Sequence, residues 1–111
     1  MALPHAQPLD VIDVRPLADR LLETKSHSLL KTDKLQLMRV VLQQGEGMPP
    51  HHVEAEVVIE CIEGRVTVTC PDRDCVLEAG QLVVLPPGEP HSFKGEENSS
   101  LLVTLLLHQQ G

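Results

Sequence analysis

The sequence predicts an all-β, single-domain fold, with strands packed as a sandwich or closed into a barrel around an aliphatic core. From residue 26 onward, short apolar runs are broken at short intervals by glycine and proline turns: Gly45, Gly47, Gly64, Pro71, Gly80 and the run Pro86-Pro87-Gly88-Glu89-Pro90. Within several runs the side chains alternate with period two, most clearly where Val66, Val68 and Cys70 interleave with Thr67 and Thr69. A chain of 111 residues, 41% of them apolar, is long enough for one core and short for two.

Residues 1–25 read as an N-terminal strap. Residues 1–8 carry two prolines and a few polar side chains, which suits a loose tail. Residues 9–14, Leu-Asp-Val-Ile-Asp-Val, are a candidate first strand. Arg15-Pro16 then opens residues 17–23, where Leu17, Leu21 and Leu22 stand at helical spacing. A first-turn proline fits one or two helical turns there, with a strand as the competing reading.

Residues 26–111 read as the barrel. A strand over 26–31 and a turn at Thr32-Asp33-Lys34 lead to a longer strand over 35–43. On that strand Leu35, Leu37, Arg39 and Val41 oppose Gln36, Met38, Val40 and Leu42. Neither face is strongly polar, so both are expected to be covered. Strands follow over 57–62, 65–70, 76–78 and 81–85. Gly64, Gly80 and Gly88 are turn positions that tolerate positive φ. Pro86 and Pro87 stiffen the loop that delivers His91. After a polar loop at 95–99, the last strand spans 101–108 and is apolar on both faces. A domain this small cannot bury both faces alone, so a homodimer is expected.

Composition excludes some functions. The net charge of -7, from 9 Lys+Arg against 16 Asp+Glu, argues against a nucleic-acid partner. Phe93 is the only aromatic residue, so the chain offers a single aromatic face for stacking bases or sugars. No apolar run is long enough to span a bilayer and no secretory pattern opens the chain, so a cytoplasmic protein is expected. Cys61, Cys70 and Cys75 are an odd number of cysteines, which fits reduced thiols.

Two stretches carry the functional signal, residues 47–64 and 80–91. The second matches glycine, five residues, proline, one residue, glycine, two residues, histidine at Gly80, Pro86, Gly88 and His91. The first contains His51-His52 ahead of an apolar run that ends at Gly64. These stretches resemble the paired motifs of the cupin superfamily, and the resemblance extends over residues 35–107. It implies a jelly-roll β-barrel. It also implies a metal centre with two histidines and a carboxylate from the first motif and one histidine from the second. Aligned by motif length, His51 takes the first histidine position, Val53 the second and Val57 the carboxylate position. Only His51 and His91 then remain as ligands, with water or Cys61 to complete a shell around one divalent ion of zinc, nickel, iron or copper.

A competing alignment puts His52 and Glu56 in the first motif. Strand parity weighs against it: Val57, Ile59 and Cys61 share one face, and Glu60 belongs to the other. Extended back through Val53, that parity turns His51 inward and His52, Glu54 and Glu56 outward. A turn between Val53 and Glu56 would break the count. The pocket is expected to be lined by His51, Val53, Val57, Cys61, His91 and Phe93. Cys61 also reads as a plain buried thiol. The acidic set Glu54, Glu56, Glu60 and Glu63 reads as a solvated face, and His5, His27 and His108 as surface residues.

Three functions follow. The first is a small-molecule binding module with His51 and His91 as polar anchors in a metal-free cavity. The second, implied by the resemblance, is a metal-dependent dioxygenase, isomerase or decarboxylase. The third is an assembly module without catalysis. The missing carboxylate removes the obvious general base, which favours the first.

Overall fold

In the computed structural model, which describes residues 5–107, nine strands form two antiparallel sheets. In chain order they are β1 (His27–Lys31), β2 (Leu35–Leu42), β3 (Gly47–His51), β4 (Ala55–Glu63), β5 (Arg65–Thr69), β6 (Asp74–Glu78), β7 (Leu82–Leu85), β8 (His91–Gly95) and β9 (Ser99–Leu107). The larger sheet has the order β1-β2-β9-β4-β7 and the smaller β3-β8-β5-β6. The chain crosses between sheets repeatedly, as a jelly roll requires. No helix among the described residues is long and apolar enough to cross a membrane.

The core lies between the inner faces. Alternation on β4 sends Val57, Ile59 and Cys61 inward, where they meet Leu101 and Val103 of β9, Val66 and Val68 of β5, and Phe93 of β8. All of these are at most 4% exposed, and the core is aliphatic except for Phe93. At the β4–β5 turn Gly64 has φ +84°, and a Cβ there would run into Ser99 and the carbonyl of Asn98, so only glycine fits.

Residues 9–14 are not a strand. Leu9 and Val11 are fully exposed, and Leu9 has φ 80°, so the segment pairs with no sheet. The helical reading of residues 17–23 holds in tightened form, as a 3-10 helix over Ala18–Glu23. The run 81–85 is an edge strand whose Leu82 and Val84 are more than half exposed. Residue 108, and with it His108, lies outside the described residues.

Glu63 departs from its expected place on a solvated face. An extra residue between Cys61 and Glu63 shifts the β4–β9 register, so that Glu63 stands opposite Ser100. Its carboxylate accepts the Leu17 and Ala18 backbone N–H groups at 2.8 and 3.0 Å and the Ser100 hydroxyl. Leu17 and Leu21 are thereby held down as buried residues. Arg39, 5% exposed, lies beneath the same strap and donates to the Arg15 carbonyl at 3.1 Å. Burial raises the Glu63 pKa, but the hydrogen bonds from Ser100, Leu17 and Ala18 outweigh it and the net shift is downward.

A carboxylate with a lowered folded pKa stabilises the fold above its unfolded pKa, and that contribution is lost as pH falls through the folded value. Glu63→Gln should therefore cost about 1–3 kcal/mol in urea unfolding near neutral pH. It should also expose residues 13–25 to limited proteolysis, and the wild-type strap should loosen in the same way in acid, below pH 4.5. Unchanged stability in the variant would show that the strap is held by Leu17 and Leu21 alone.

Candidate functional site

β3 is a strand that sequence pattern hides, because Pro49 and Pro50 bring no N–H to a ladder. Their effect is a register shift. Met48 pairs with Phe93, but His51, three residues on, pairs with His91, only two residues back. The extra residue is a bulge, and it sets the two histidines directly opposite each other on neighbouring strands. On β8 the residues His91, Phe93 and Gly95 all point inward.

The three rings form one cluster. The His51 and His91 centroids are 4.3 Å apart at 56°, His91 and Phe93 5.4 Å apart at 39°, and His51 and Phe93 6.1 Å apart and nearly perpendicular. His91 is 3% exposed, whereas His51 is half-buried. His52, Glu54 and Glu56 are all exposed, but residues 52–54 separate β3 from β4, so the place of His51 comes from its pairing with β8 and not from the parity of β4.

Each histidine is oriented by a backbone carbonyl two residues before it. Nδ1 of His91 lies 2.9 Å from the Glu89 oxygen and Nδ1 of His51 lies 3.3 Å from the Pro49 oxygen. A carbonyl oxygen only accepts, so both Nδ1 atoms carry the hydrogen. In the neutral rings both Nε2 atoms then present lone pairs. The carbonyls are themselves held in place by a cross-brace: Gly88 N–H donates to the Val53 carbonyl at 2.8 Å, joining the turn after His51 to the loop before His91. Gly88 has φ +79°, and the Glu54 carboxylate packs against it.

Burial lowers the His91 pKa below the usual histidine value. The Glu89 carbonyl opposes this, and the neighbouring His51 ring adds to it.

A cleft of about 180 Å³ opens beside His91, walled by Pro50, Pro90, Thr69 and Cys70. That is room for about six waters. A second cleft of about 390 Å³ shares Cys70 and is lined by Cys75, Arg73, Leu85 and Glu89.

The other expected pocket residues divide. Val53 is half-buried against the core and Val57 is 2% exposed within it. Cys61 lies six residues past the start of β4, about 20 Å along the strand from the end that follows His51. Its Sγ faces the Glu63 and Gly64 carbonyls at 3.5 and 3.7 Å, and burial, ahead of the nearby carboxylates, pushes its pKa up. It does not join the two imidazoles. Cys61, Cys70 and Cys75 are all free. Sequence reasoning missed the orienting carbonyls of Pro49 and Glu89 and the cleft at Cys70. The only hint was the pair of X-Pro steps ahead of each histidine.

A family model described as a cupin domain matches residues 38–107. The chain belongs to the cupin family. No curated protein matches the sequence. Among solved structures, the cupin resembles a conserved protein of unknown function from Streptococcus pyogenes at 17% identity and TM-score 0.75, covering 99% of this chain and 97% of that one. It also resembles a cupin superfamily protein from Desulfitobacterium hafniense at 18% identity and TM-score 0.76, covering 93% and 100%. The DMSP lyase DddQ from Ruegeria pomeroyi is similar at 20% identity and TM-score 0.70, covering 78% of this chain and 48% of that one. At these identities the likeness is one of fold.

Many cupins hold a metal, and two Nδ1-anchored histidines would suit two of its ligand positions. The rest of the donor set does not fit. Among the described residues no three His, Cys, Asp or Glu side chains gather as a metal site. Valine stands at both remaining first-motif positions, Val53 and Val57.

A histidine with a lowered folded pKa stabilises the fold above its unfolded pKa, and that stability is lost as pH falls through the folded value. Thermal stability should therefore drop as pH is lowered from 6.5. His91→Gln should flatten that part of the profile while costing about 1–3 kcal/mol at neutral pH. An identical pH profile in the variant would place the titration elsewhere.

Proposed function

We propose that this cupin is a small-molecule binding protein in which His51 and His91 are the polar anchors. The observation that carries the reading is the pair itself: two imidazoles 4.3 Å apart, one of them buried, with their Nδ1 atoms committed to carbonyls and their Nε2 atoms left for a ligand. Phe93 packs against both rings, and Pro50, Pro71 and Pro90 give apolar walls to the cleft beside His91, the composition expected of a ligand site. Thr69 and Cys70 add a hydroxyl and a thiol at the rim.

A metal-dependent enzyme is the second reading. The Nδ1-to-carbonyl arrangement favours it, as does the likeness to a protein described as a lyase. A two-histidine set would hold an ion weakly, since catalytic zinc sites use three protein ligands. A homodimer is proposed on the exposed Leu82, Val84 and Leu106, all on the outer face of the larger sheet, where a second copy would pack. We assign the protein to the cytoplasm on its thiol content.

Elemental analysis of untagged protein, with a thermal-shift screen of small polar compounds, separates the readings. Binding without metal predicts less than about 0.1 equivalent of transition metal, and at least one compound whose stabilisation is lost in His51→Asn. A near-stoichiometric metal that disappears in the same variant would replace the first reading with the second.

A further inference from the structure

A second group of chemistry-bearing side chains lies outside the histidine pair, at the β5–β6 hairpin. We propose that Cys70 and Cys75 form a two-thiolate site for a soft monovalent metal ion of the cuprous class, independent of His51 and His91.

The register brings the two thiols to one face. Cys75 on β6 pairs with Val68 on β5, and Val68 points into the core. Residues opposite each other in a ladder share a face, so Cys75 points the same way. Cys70 follows Val68 by two residues. Its N–H donates to the Arg73 carbonyl at 2.9 Å, which carries the hairpin one step past β5. Cys70 therefore lies on that face too, as the diagonal neighbour of Cys75. Both side chains pack against the core, both line the cleft of about 390 Å³, and both are free. Burial raises the Cys70 pKa most, and the Cys75 thiol is the next cause, so the two sulfurs are near enough to feel each other.

The spacing decides what the pair can do. Diagonal neighbours in an antiparallel ladder stand about 7–8 Å apart at Cα. An unstrained disulfide spans less than about 7 Å. Two thiolates on one ion span more, because two metal–sulfur bonds of about 2.3 Å replace one sulfur–sulfur bond of about 2.0 Å. A shared ion fits this hairpin where a direct bond would pull on it.

The ligand count decides the ion. Among the described residues no third His, Cys, Asp or Glu side chain joins the pair. Zinc takes four protein ligands in structural sites and three in catalytic ones. A cuprous ion is soft and selects sulfur, and its filled d shell accepts two ligands in line. Val83 and Leu85 give the cleft an apolar wall, which suits a metal–thiolate unit of low charge. Asp72 and Glu89 line the same cleft beside Arg73, so carboxylates outnumber the guanidinium where a cation enters. A reducing compartment that keeps the thiols free also keeps copper cuprous.

The test loads reduced, chelator-treated, full-length protein with cuprous ion under anaerobic conditions, against the chromophoric chelator bicinchoninate. Cuprous ion is lost to oxidation in air, so protein purified in air starts metal-free. The protein should take up one equivalent, X-ray absorption at the copper edge should show two sulfur neighbours, and excess zinc should not displace the ion. Cys70→Ser and Cys75→Ser should each weaken binding by at least about 100-fold, more than the loss of an outer-shell partner does. Copper retained by the double variant would overturn the proposal, as would nitrogen neighbours at the edge or displacement by zinc. Copper lost in His51→Asn but kept in the cysteine variants would also overturn it and move the ion to the imidazoles. The X-ray measurement uses the wild-type protein, so it decides the matter even where a variant fails to fold.

Discussion

The structure depends on one pairing constraint: His51 and His91 stand directly opposite each other on adjacent antiparallel strands, and only because β3 carries one residue too many for its ladder. Two prolines cause that excess, since neither can donate to β8. Without the bulge Pro50 would face His91 and His51 would turn to the other side of the sheet. The pair is thus built from the ladder that adds the edge strand β3 to the smaller sheet, so regular backbone pairing and not a free loop sets its geometry.

The two ends of the barrel solve opposite electrostatic problems. At the far end a carboxylate, Glu63, is partly buried and satisfied by three hydrogen-bond donors, and it serves to hold the strap. At the near end two bases are brought together and only half satisfied, since each uses one nitrogen on a carbonyl. Buried polar atoms with partners stabilise a fold, whereas accessible ones without partners are where ligands bind. That contrast separates Glu63 from His91 more firmly than residue type does. Cys61 belongs with the first end. It is fully buried and bonded to local carbonyls, with its thiol held in the protonated form.

Much of this was legible in the chain. Glycine and proline turns mark the strand boundaries, and the alternation of Val57, Ile59 and Cys61 against Glu60 gives the inner face of β4. The rest was hidden for physical reasons. Pro49-Pro50 reads as a loop because a ladder needs N–H groups, yet an edge strand pairs on one side only and tolerates their absence. The role of Glu63 depends on a one-residue shift in β4, which no alternation count contains. Residues 9–14 alternate as a strand would, yet Leu9 takes a positive φ and the segment stays exposed and unpaired, an outcome of tertiary structure that alternation does not contain. The carbonyls that orient the histidines are backbone atoms, which every residue supplies and no motif records.

The central claim is that the two rings face each other, each with the hydrogen on Nδ1 turned to a carbonyl. Long-range proton–nitrogen correlation spectra of labelled protein measure this directly, because they assign the tautomer of each histidine, and ring-to-ring nuclear Overhauser contacts report proximity. The account predicts the Nδ1–H tautomer for the neutral rings of both His51 and His91, with cross-peaks between the two rings and from His91 to Phe93. An Nε2–H tautomer at His91, or no contact between the rings, would contradict it.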